Sequence, residues 1–459
     1  MSEIERRLFK DEVFNRKLWR LMLPIALQSL MLSAVAAGDA LMLGRVEQDS
    51  MAAVSLATQV QFVQNMIITS VTAAASILGA QYWGKGDKRT IVDIFNMSLR
   101  LNGLISLVFF LLCVLIPDKL MLVFASEKAL ISIGADYLRI AGWSYLLTGI
   151  TQCYLTTMKV TDHVARTAWI SSSAVVLNLI LNGVFIFGLL GFPAMGARGA
   201  AVATLISRIV EFVWAVASSY QKGFLHPDFK RFFHRDKELS RDFHRNALPL
   251  LGGGLFWGVG FTSYTAIMGH MGGDAAAANS IAAVVRDLLC CLNVGISSAG
   301  GIMVGNELGA GHLERGRVYG ERLAKLSVLL GFLSTAIVIA VTPLVVHFMI
   351  LTDEARKLLS VMMIIMAVYM IGRCINTVVV NGVFGAGGDT LFDMYSLAVC
   401  MWGIAIPLAL LGAFIWHWPV PLVYACTCLD EVGKLPWVYA HFKRYKWVKD
   451  LTREAELGR

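Results

Sequence analysis

The apolar residues of this chain fall in a dozen blocks, each long enough to cross a membrane as a helix, for which about 20 residues suffice. The blocks predict twelve helices, approximately over 21–43, 52–79, 94–116, 131–157, 168–190 and 199–220, then 247–270, 276–304, 323–349, 358–383, 394–416 and 420–441. Several exceed the minimum, which implies tilt or extension beyond the bilayer. Lys and Arg between the blocks orient them. Arg6, Arg7, Lys10, Arg16, Lys17 and Arg20 precede the first helix; Lys222, Lys230, Arg231, Arg235, Lys237, Arg241 and Arg245 lie between helices six and seven; Lys443, Arg444, Lys446, Lys449, Arg453 and Arg459 follow the last. The opposite side has little beyond Arg45, Lys119, Lys128, Arg198, Arg356 and Lys357. Both termini are therefore expected in the cytoplasm of a cell-membrane protein. Residues 3–20 have the pattern of a basic amphipathic helix lying at the membrane surface, and no cleavable signal peptide is expected.

Composition agrees with the pattern. Of 459 residues, 57% are hydrophobic and 16% charged, against roughly 25% charged in soluble chains, and the mean hydropathy is +0.64. A soluble enzyme and a secreted disulfide scaffold are both excluded. The eight cysteines lie in or at the edge of apolar blocks without metal-ligand spacing, so they are expected to be free thiols acting as small apolar residues. The net charge of +8 follows from the orientation signal and does not indicate a nucleic-acid partner.

The two halves resemble each other at an offset of about 225 residues. Leu23-Pro24 opens helix one and Leu248-Pro249 opens helix seven. Gly84-Lys85-Gly86 corresponds to Gly309-Ala310-Gly311, each closing an even-numbered helix before a basic turn, and Asp162 corresponds to Asp389. Six helices per half insert both halves in one orientation, which predicts parallel bundles related by an axis along the membrane normal. The expected division is an N-lobe at 1–220, a cytoplasmic linker at 221–246 and a C-lobe at 247–459.

On this frame the chain resembles the MATE (multidrug and toxic compound extrusion) transporters, prokaryotic type. Gly38-Asp39-Ala-Leu-Met-Leu-Gly44-Arg45, the Gly84 and Gly309 loops, the Asn178…Asn182 helix with Gly196-Ala-Arg-Gly-Ala-Ala-Val-Ala-Thr204 after it, and Gly387-Gly-Asp-Thr390 are similar to that family's motifs, in order along nearly the whole chain. The resemblance implies an all-α integral membrane protein with twelve transmembrane helices in two six-helix lobes. It implies pseudo-twofold symmetry and a V shape with a central cavity. The implied activity is export of organic, often cationic amphipathic compounds by antiport against H⁺ or Na⁺, with no other cofactor.

Ionisable groups inside the membrane are costly, so each is a site hypothesis. Asp39 has no basic neighbour in sequence except Arg45. An unpaired carboxylate in low dielectric favours its neutral form and can bind and release a proton, which makes Asp39 the candidate coupling group. Asn178 and Asn182 are i and i+4 on helix five and share a face. With Asp39 and Thr204 they offer hard oxygen ligands for Na⁺, or hydrogen-bond partners for a protonated Asp39. In the family the matching positions form such a cation site; interhelical hydrogen bonding is the structural alternative. Arg208 and Glu211, three apart on helix six, are expected to pair with each other.

The C-half departs from those family branches that carry an acid in helix seven: 250–271 has none, and the repeat equivalent of Asp39 is Tyr264. It carries instead Arg286, Asp287, Arg373, Asp430, Glu431 and Lys434, three bases against three acids. Asp430 and Lys434, at i and i+4, are expected to pair, with Glu431 about a quarter-turn away. This charge network reads either as packing or as a second proton or substrate site facing the cavity. The glycines 252–254, 258 and 260 are expected to serve close packing or bending in helix seven; no glycine run follows a strand as a phosphate-binding loop would, so ATP is not the expected energy source. Two alternatives remain: a flippase for lipid-linked precursors of the same superfamily, which would favour a cavity rich in unmatched bases, and an integral-membrane transferase, which would need spaced carboxylates for Mg²⁺ that the sequence lacks. Expected partners are small organic molecules and membrane lipid, with the chain acting as a monomer.

Overall fold

The computed structural model describes residues 11–44, 48–124, 127–233, 236–348 and 351–453, with the side chains of 34–41, 43, 44 and 48 outside the description. Every predicted block is helical. The twelve elements are α1 (Glu12–Gly44), α2 (Gln48–Lys85), α3 (Lys88–Leu115), α4 (Lys128–Val160), α5 (Val164–Phe187), α6 (Ala197–Ser219), α7 (Lys237–His270), α8 (Gly273–Gly309), α9 (Leu313–Phe348), α10 (Asp353–Phe384), α11 (Thr390–Ile415) and α12, which is broken into Val420–Thr427, Leu429–Val432 and Leu435–Phe442. Among the described residues, eight of these helices are long and apolar enough to cross a membrane on their own. A short helix, Pro117–Phe124, follows α3.

The repeat is visible in the helix starts. Glu12 and Lys237, Gln48 and Gly273, Lys88 and Leu313, and Lys128 and Asp353 each open a helix 225 residues after its counterpart. The polar ends outside the bilayer supply the caps. Asp87 accepts from the Thr90 amide at 3.1 Å to start α3, Thr352 accepts from the Ala355 amide at 3.1 Å to start α10, and Gly188 ends α5 in the left-handed region at φ 74. The two halves differ where prolines fall: Pro117 starts a separate short helix, whereas Pro343 is accommodated inside α9.

The chain forms two compact units. One holds residues 27–79 and 87–244; the other holds 245–459 together with 1–26 and 80–86, the beginning of α1 and the end of α2. In the first, Phe95, Leu99, Tyr154, Leu155, Ile170 and Ala215 form one apolar cluster, and Val54, Ala57, Tyr145, Ile186 and Ala201 another. In the second, the glycine face of α7 receives α11: a Cβ at Gly252 or Gly260 would collide with the sulfur of Met394 or Met401. The glycine run thus serves close packing, as expected. Here too α10 and α11 open into wide π turns at 377–384, 398–405 and 411–415, and Ser297 on α8 donates to the Thr377 carbonyl at 2.8 Å where the α10 ladder loosens.

The expected surface helix over 3–20 is not a separate element. Residues 12–20 are the first turns of α1, and 1–10 lie outside the described residues. Phe14 and Leu18, on its apolar face, are buried within the unit, and Asp11 pairs with Arg322 of α9 at 2.6 Å. Protein, not lipid, covers that face. All eight cysteines are free.

Candidate functional site

In the first unit, α5 and α6 bring the predicted oxygen donors together. Asn182 donates to the Asn178 side-chain oxygen at 3.3 Å, and Asn178 donates to Thr204 Oγ1 at 3.3 Å. Asn178 and Asn182 are buried, and the i, i+4 spacing stacks them on one face of α5. Asp39, the fourth member of the predicted site, lies in α1, but its side chain is outside the described residues. A buried amide exchanging hydrogen bonds with a second amide and a hydroxyl can turn oxygen toward a cation or a protonated acid without a backbone change.

Seven residues nearer the start of α5, the same helix pair carries a second polar layer that the sequence only half revealed. Arg208 pairs with Glu211 at 2.6 Å, as expected. Glu211 also accepts from Ser171 at 3.0 Å, and Ser171 accepts from Gln28 of α1 at 2.8 Å. Glu211, Ser171 and Gln28 are all buried. Neutral side chains give no charge signal in a sequence, and 143 residues separate Gln28 from Ser171, so only the fold joins them.

In the second unit the charge network takes a different form from the expected one. Glu431 pairs with Arg373 at 2.6 Å and with Lys434 at 3.1 Å, and Asn376 donates to its carboxylate at 2.7 Å and to its carbonyl at 2.8 Å. The anticipated Asp430–Lys434 pair is replaced by Glu431–Lys434 because α12 is not a continuous helix there. Cys428, Gly433 and Lys434 have ψ of −10°, −26° and −10°, the tighter 3₁₀ range, in which i and i+3 eclipse. Gly433 and Pro436 explain the break, since Pro436 has no amide to offer the Val432 carbonyl.

Asp430 is buried beside this cluster, with Lys434 and Arg373 near it but no direct ion pair among the described residues, and its Oδ1 has no hydrogen-bond partner there. Beside it stands Tyr264, the repeat equivalent of Asp39, whose buried hydroxyl lies against the Asp430 carboxylate. Arg286 and Asp287 form their own pair at 2.9 Å and are not ion-paired to the rest of the cluster. Arg286 lies over the Phe261 ring at 4.4 Å and Arg373 over Trp257 at 5.9 Å, with the two rings 4.8 Å apart and tilted by 38°. Asp287, in the middle of α8, is 61% exposed, an orientation that suits water and not lipid.

Two members were missed by the sequence reading. Asn376 is neutral. Asp393, which neighbours Lys434, Glu431 and Arg373, lies in the first turn of α11, one residue before the expected start at 394. With Asp393 the count becomes four acids to three bases, and neither Asp393 nor Asp430 makes a direct ion pair among the described residues, so the set is not balanced.

The comparisons with known proteins follow the repeat. Residues 24–184 and 249–411 both match the family described as MatE, two segments again offset by 225 at their starts. The chain is 22% identical over 442 residues to the uncharacterized transporter YisQ of Bacillus subtilis, covering 96% of each, and 27% identical over 406 residues to a probable multidrug resistance protein NorM of Mesorhizobium japonicum, covering 85% of each. A MOP superfamily transporter from Pyrococcus furiosus, described as having a binding pocket of reverse polarity, superposes with a TM-score of 0.85 at 15% identity, over 97% of this chain and 99% of that one. The Vibrio cholerae MATE transporter VcmN in its bent form gives 0.81 at 16% identity, over 95% and 97%. These structures share the fold. With both halves matched and the helices in the family's order, this chain belongs to the MATE family of multidrug and toxic compound efflux transporters.

Proposed function

We propose that the chain is a cation-coupled antiporter that exports organic, often cationic amphipathic compounds across the cell membrane by alternating access, working as a monomer with both termini in the cytoplasm and without a chemical step. Asp39 is the coupling group, and Asn178, Asn182 and Thr204 present oxygens to the bound H⁺ or Na⁺. The observation that supports this most is the hydrogen-bonded run Asn182–Asn178–Thr204, which gathers amides and a hydroxyl in an apolar interior where each would be costly alone. Coupling requires that a cation on Asp39 favour a state in which substrate binds weakly, because a ligand shifts an equilibrium only through differential affinity. An inward gradient then loads Asp39 and releases substrate outward; loss of the cation to the cytoplasm restores the charge and the affinity.

The test is ethidium efflux from reconstituted vesicles under separately imposed H⁺ and Na⁺ gradients. One gradient drives efflux in the wild type. Asp39→Asn abolishes it while the protein remains folded, and Asn178→Ala or Asn182→Ala weakens it less completely. Wild-type efflux by Asp39→Asn at equal expression overturns the assignment. Orientation is tested separately: a tag in 226–240 must be as inaccessible to an impermeant external label as tags at the termini.

A further inference from the structure

The segment joining α6 to α7 carries an aromatic and basic surface that cation coupling does not use. It is not a slack tether. Asn96 of α3 donates to the Asp228 carbonyl at 3.1 Å, Arg100 donates to the Phe232 carbonyl at 2.5 Å, and Arg231 pairs with Asp93 at 3.1 Å. Arg166 holds Gln221 at 2.7 Å. Phe224 and Phe232 pack against the cluster of Phe95 and Tyr154. With those rings turned inward, Phe229 and Phe233 stand on either side of Phe232, 6.1 and 5.3 Å from it, and are 66% and 83% exposed.

Basic side chains stand beside them. Lys222 and Lys230 are exposed. The acids of the segment serve the backbone: Asp228 accepts from the Lys230 amide at 3.0 Å, and Asp236 caps α7 through the amides of Glu238 and Leu239 at 2.9 and 3.0 Å. Depth supplies the next argument. The 28 residues of α3 span about 42 Å, whereas the hydrocarbon core is about 30 Å thick. The segment is fastened to positions 93–100, about 8 to 18 Å from the start of α3 at 1.5 Å per residue, the zone in which headgroups give way to acyl chains. At that depth an exposed phenylalanine that faces away from the bundle meets lipid.

We propose that residues 221–233 form a fixed lipid-binding wedge, in which Phe229 and Phe233 enter the headgroup–acyl boundary and Lys222 and Lys230 bind the phosphates of anionic lipids. The orientation proposed above places the wedge in the cytoplasmic leaflet; the wedge itself does not depend on the coupling reading. Aromatic rings give depth and lysines give headgroup preference, the combination that anchors peripheral helices at anionic surfaces.

The experiment places an environment-sensitive fluorophore on Phe233→Cys, in a background where the partly exposed Cys290 is replaced by serine. The purified full chain is reconstituted in phosphatidylcholine vesicles, pure or mixed with phosphatidylglycerol, so that lipid is the only partner present. Spin-labelled lipids should quench the fluorophore, with phosphatidylglycerol preferred over phosphatidylcholine. That preference should fall about fivefold for each lysine neutralised in Lys222→Gln and Lys230→Gln. Phe229→Ser should reduce quenching by both lipids while the size-exclusion profile stays that of the wild type. A fluorophore that stays water-like and unquenched in both compositions overturns the wedge and leaves a protein partner as the remaining occupant. Quenching without preference for phosphatidylglycerol, or a preference that survives both lysine substitutions, overturns the headgroup assignment.

Discussion

Glu431 and Asp430 are adjacent, buried and acidic, yet their neutralisation should have unequal consequences. Glu431 holds two cations, Arg373 at 2.6 Å and Lys434 at 3.1 Å, and accepts from Asn376. Glu431→Gln keeps the shape but leaves both cations without a counter-charge, and breaking one buried pair by removing a partner costs about 3–5 kcal/mol. Asp430→Asn removes a charge that makes no direct ion pair and leaves Lys434 still paired to Glu431, so its cost should be smaller, about 1–2 kcal/mol for the weaker field it lends Lys434 and Arg373. The assay is unfolding in mixed micelles titrated with sodium dodecyl sulfate, followed by tryptophan fluorescence. A double variant, Glu431→Gln with Lys434→Met, should recover part of the loss by removing one orphaned cation. Equal losses for the two single neutralisations, or a larger loss for Asp430→Asn, would refute the assignment of Glu431 as the hub. The same variants separate structure from transport. If Asp430 and Tyr264 take part in coupling, Asp430→Asn should change the pH profile of efflux at that smaller cost in stability.

Three further outcomes follow from particular contacts. Arg208→Leu should destabilise the first unit by about 1–3 kcal/mol, because buried Glu211 would keep only its bond from Ser171 and the more distant Lys159; adding Glu211→Gln should recover part of that in the same titration, and no recovery would discount the pair. The Arg322 guanidinium beside Asp11 holds its carboxyl below the usual carboxylate range, so the pair's contribution is present above the unfolded value near 3.8 and is lost as pH falls through the lower folded value. Asp11→Asn should therefore cost about 1 kcal/mol or less at pH 7 and nothing once Asp11 is protonated, and a difference independent of pH would contradict this. Trp447→Ala empties a fully buried site and should cost about 3–5 kcal/mol; limited proteolysis should then cut within 446–453, which the wild type protects by hydrogen bonds from Gln81 to the Lys449 carbonyl and from the Leu451 amide to Gln81.

Periodicity and charge were legible in the sequence where one helix carries the whole signal. The apolar blocks became helices, most of them begun earlier than the block and some extended at both ends, as with Gln48–Lys85 for 52–79, because polar capping turns lie outside the apolar pattern. Asn178 with Asn182 and Arg208 with Glu211 needed only the helical repeat. Errors arose where the repeat fails or where the partner is distant. The i, i+4 pairing of Asp430 with Lys434 assumed 3.6 residues per turn across Gly433 and Pro436, where α12 tightens and breaks. Gln28, Ser171 and Asn376 are neutral and find their partners across other helices. The surface-helix pattern at the N-terminus identified an apolar face correctly but not what covers it.

The internal repeat carries a stronger consequence than similar helix lengths. A Cβ added at Gly84 would collide with the Asn306 carbonyl oxygen, and one added at Gly309 would collide with the Gln81 carbonyl oxygen. Shifting by 225 residues turns Gly84 into Gly309 and Gln81 into Asn306, so the two contacts exchange with each other, as the contacts across a twofold axis must. The ends of α2 and α8 therefore cross backbone to backbone on a local pseudo-twofold axis, with Gly84 and Gly309 where each helix meets the other's carbonyl. Carbonyl oxygens cannot rotate away as a side chain can, so Gly84→Ala and Gly309→Ala should each cost at least the 1–3 kcal/mol or so typical of overpacking, and by similar amounts. The double variant should cost less than the sum, because helices already forced apart by one methyl have room for the second. Additive losses, or tolerance at one glycine and not the other, would show that the crossing is not symmetric and that the repeat ends short of it.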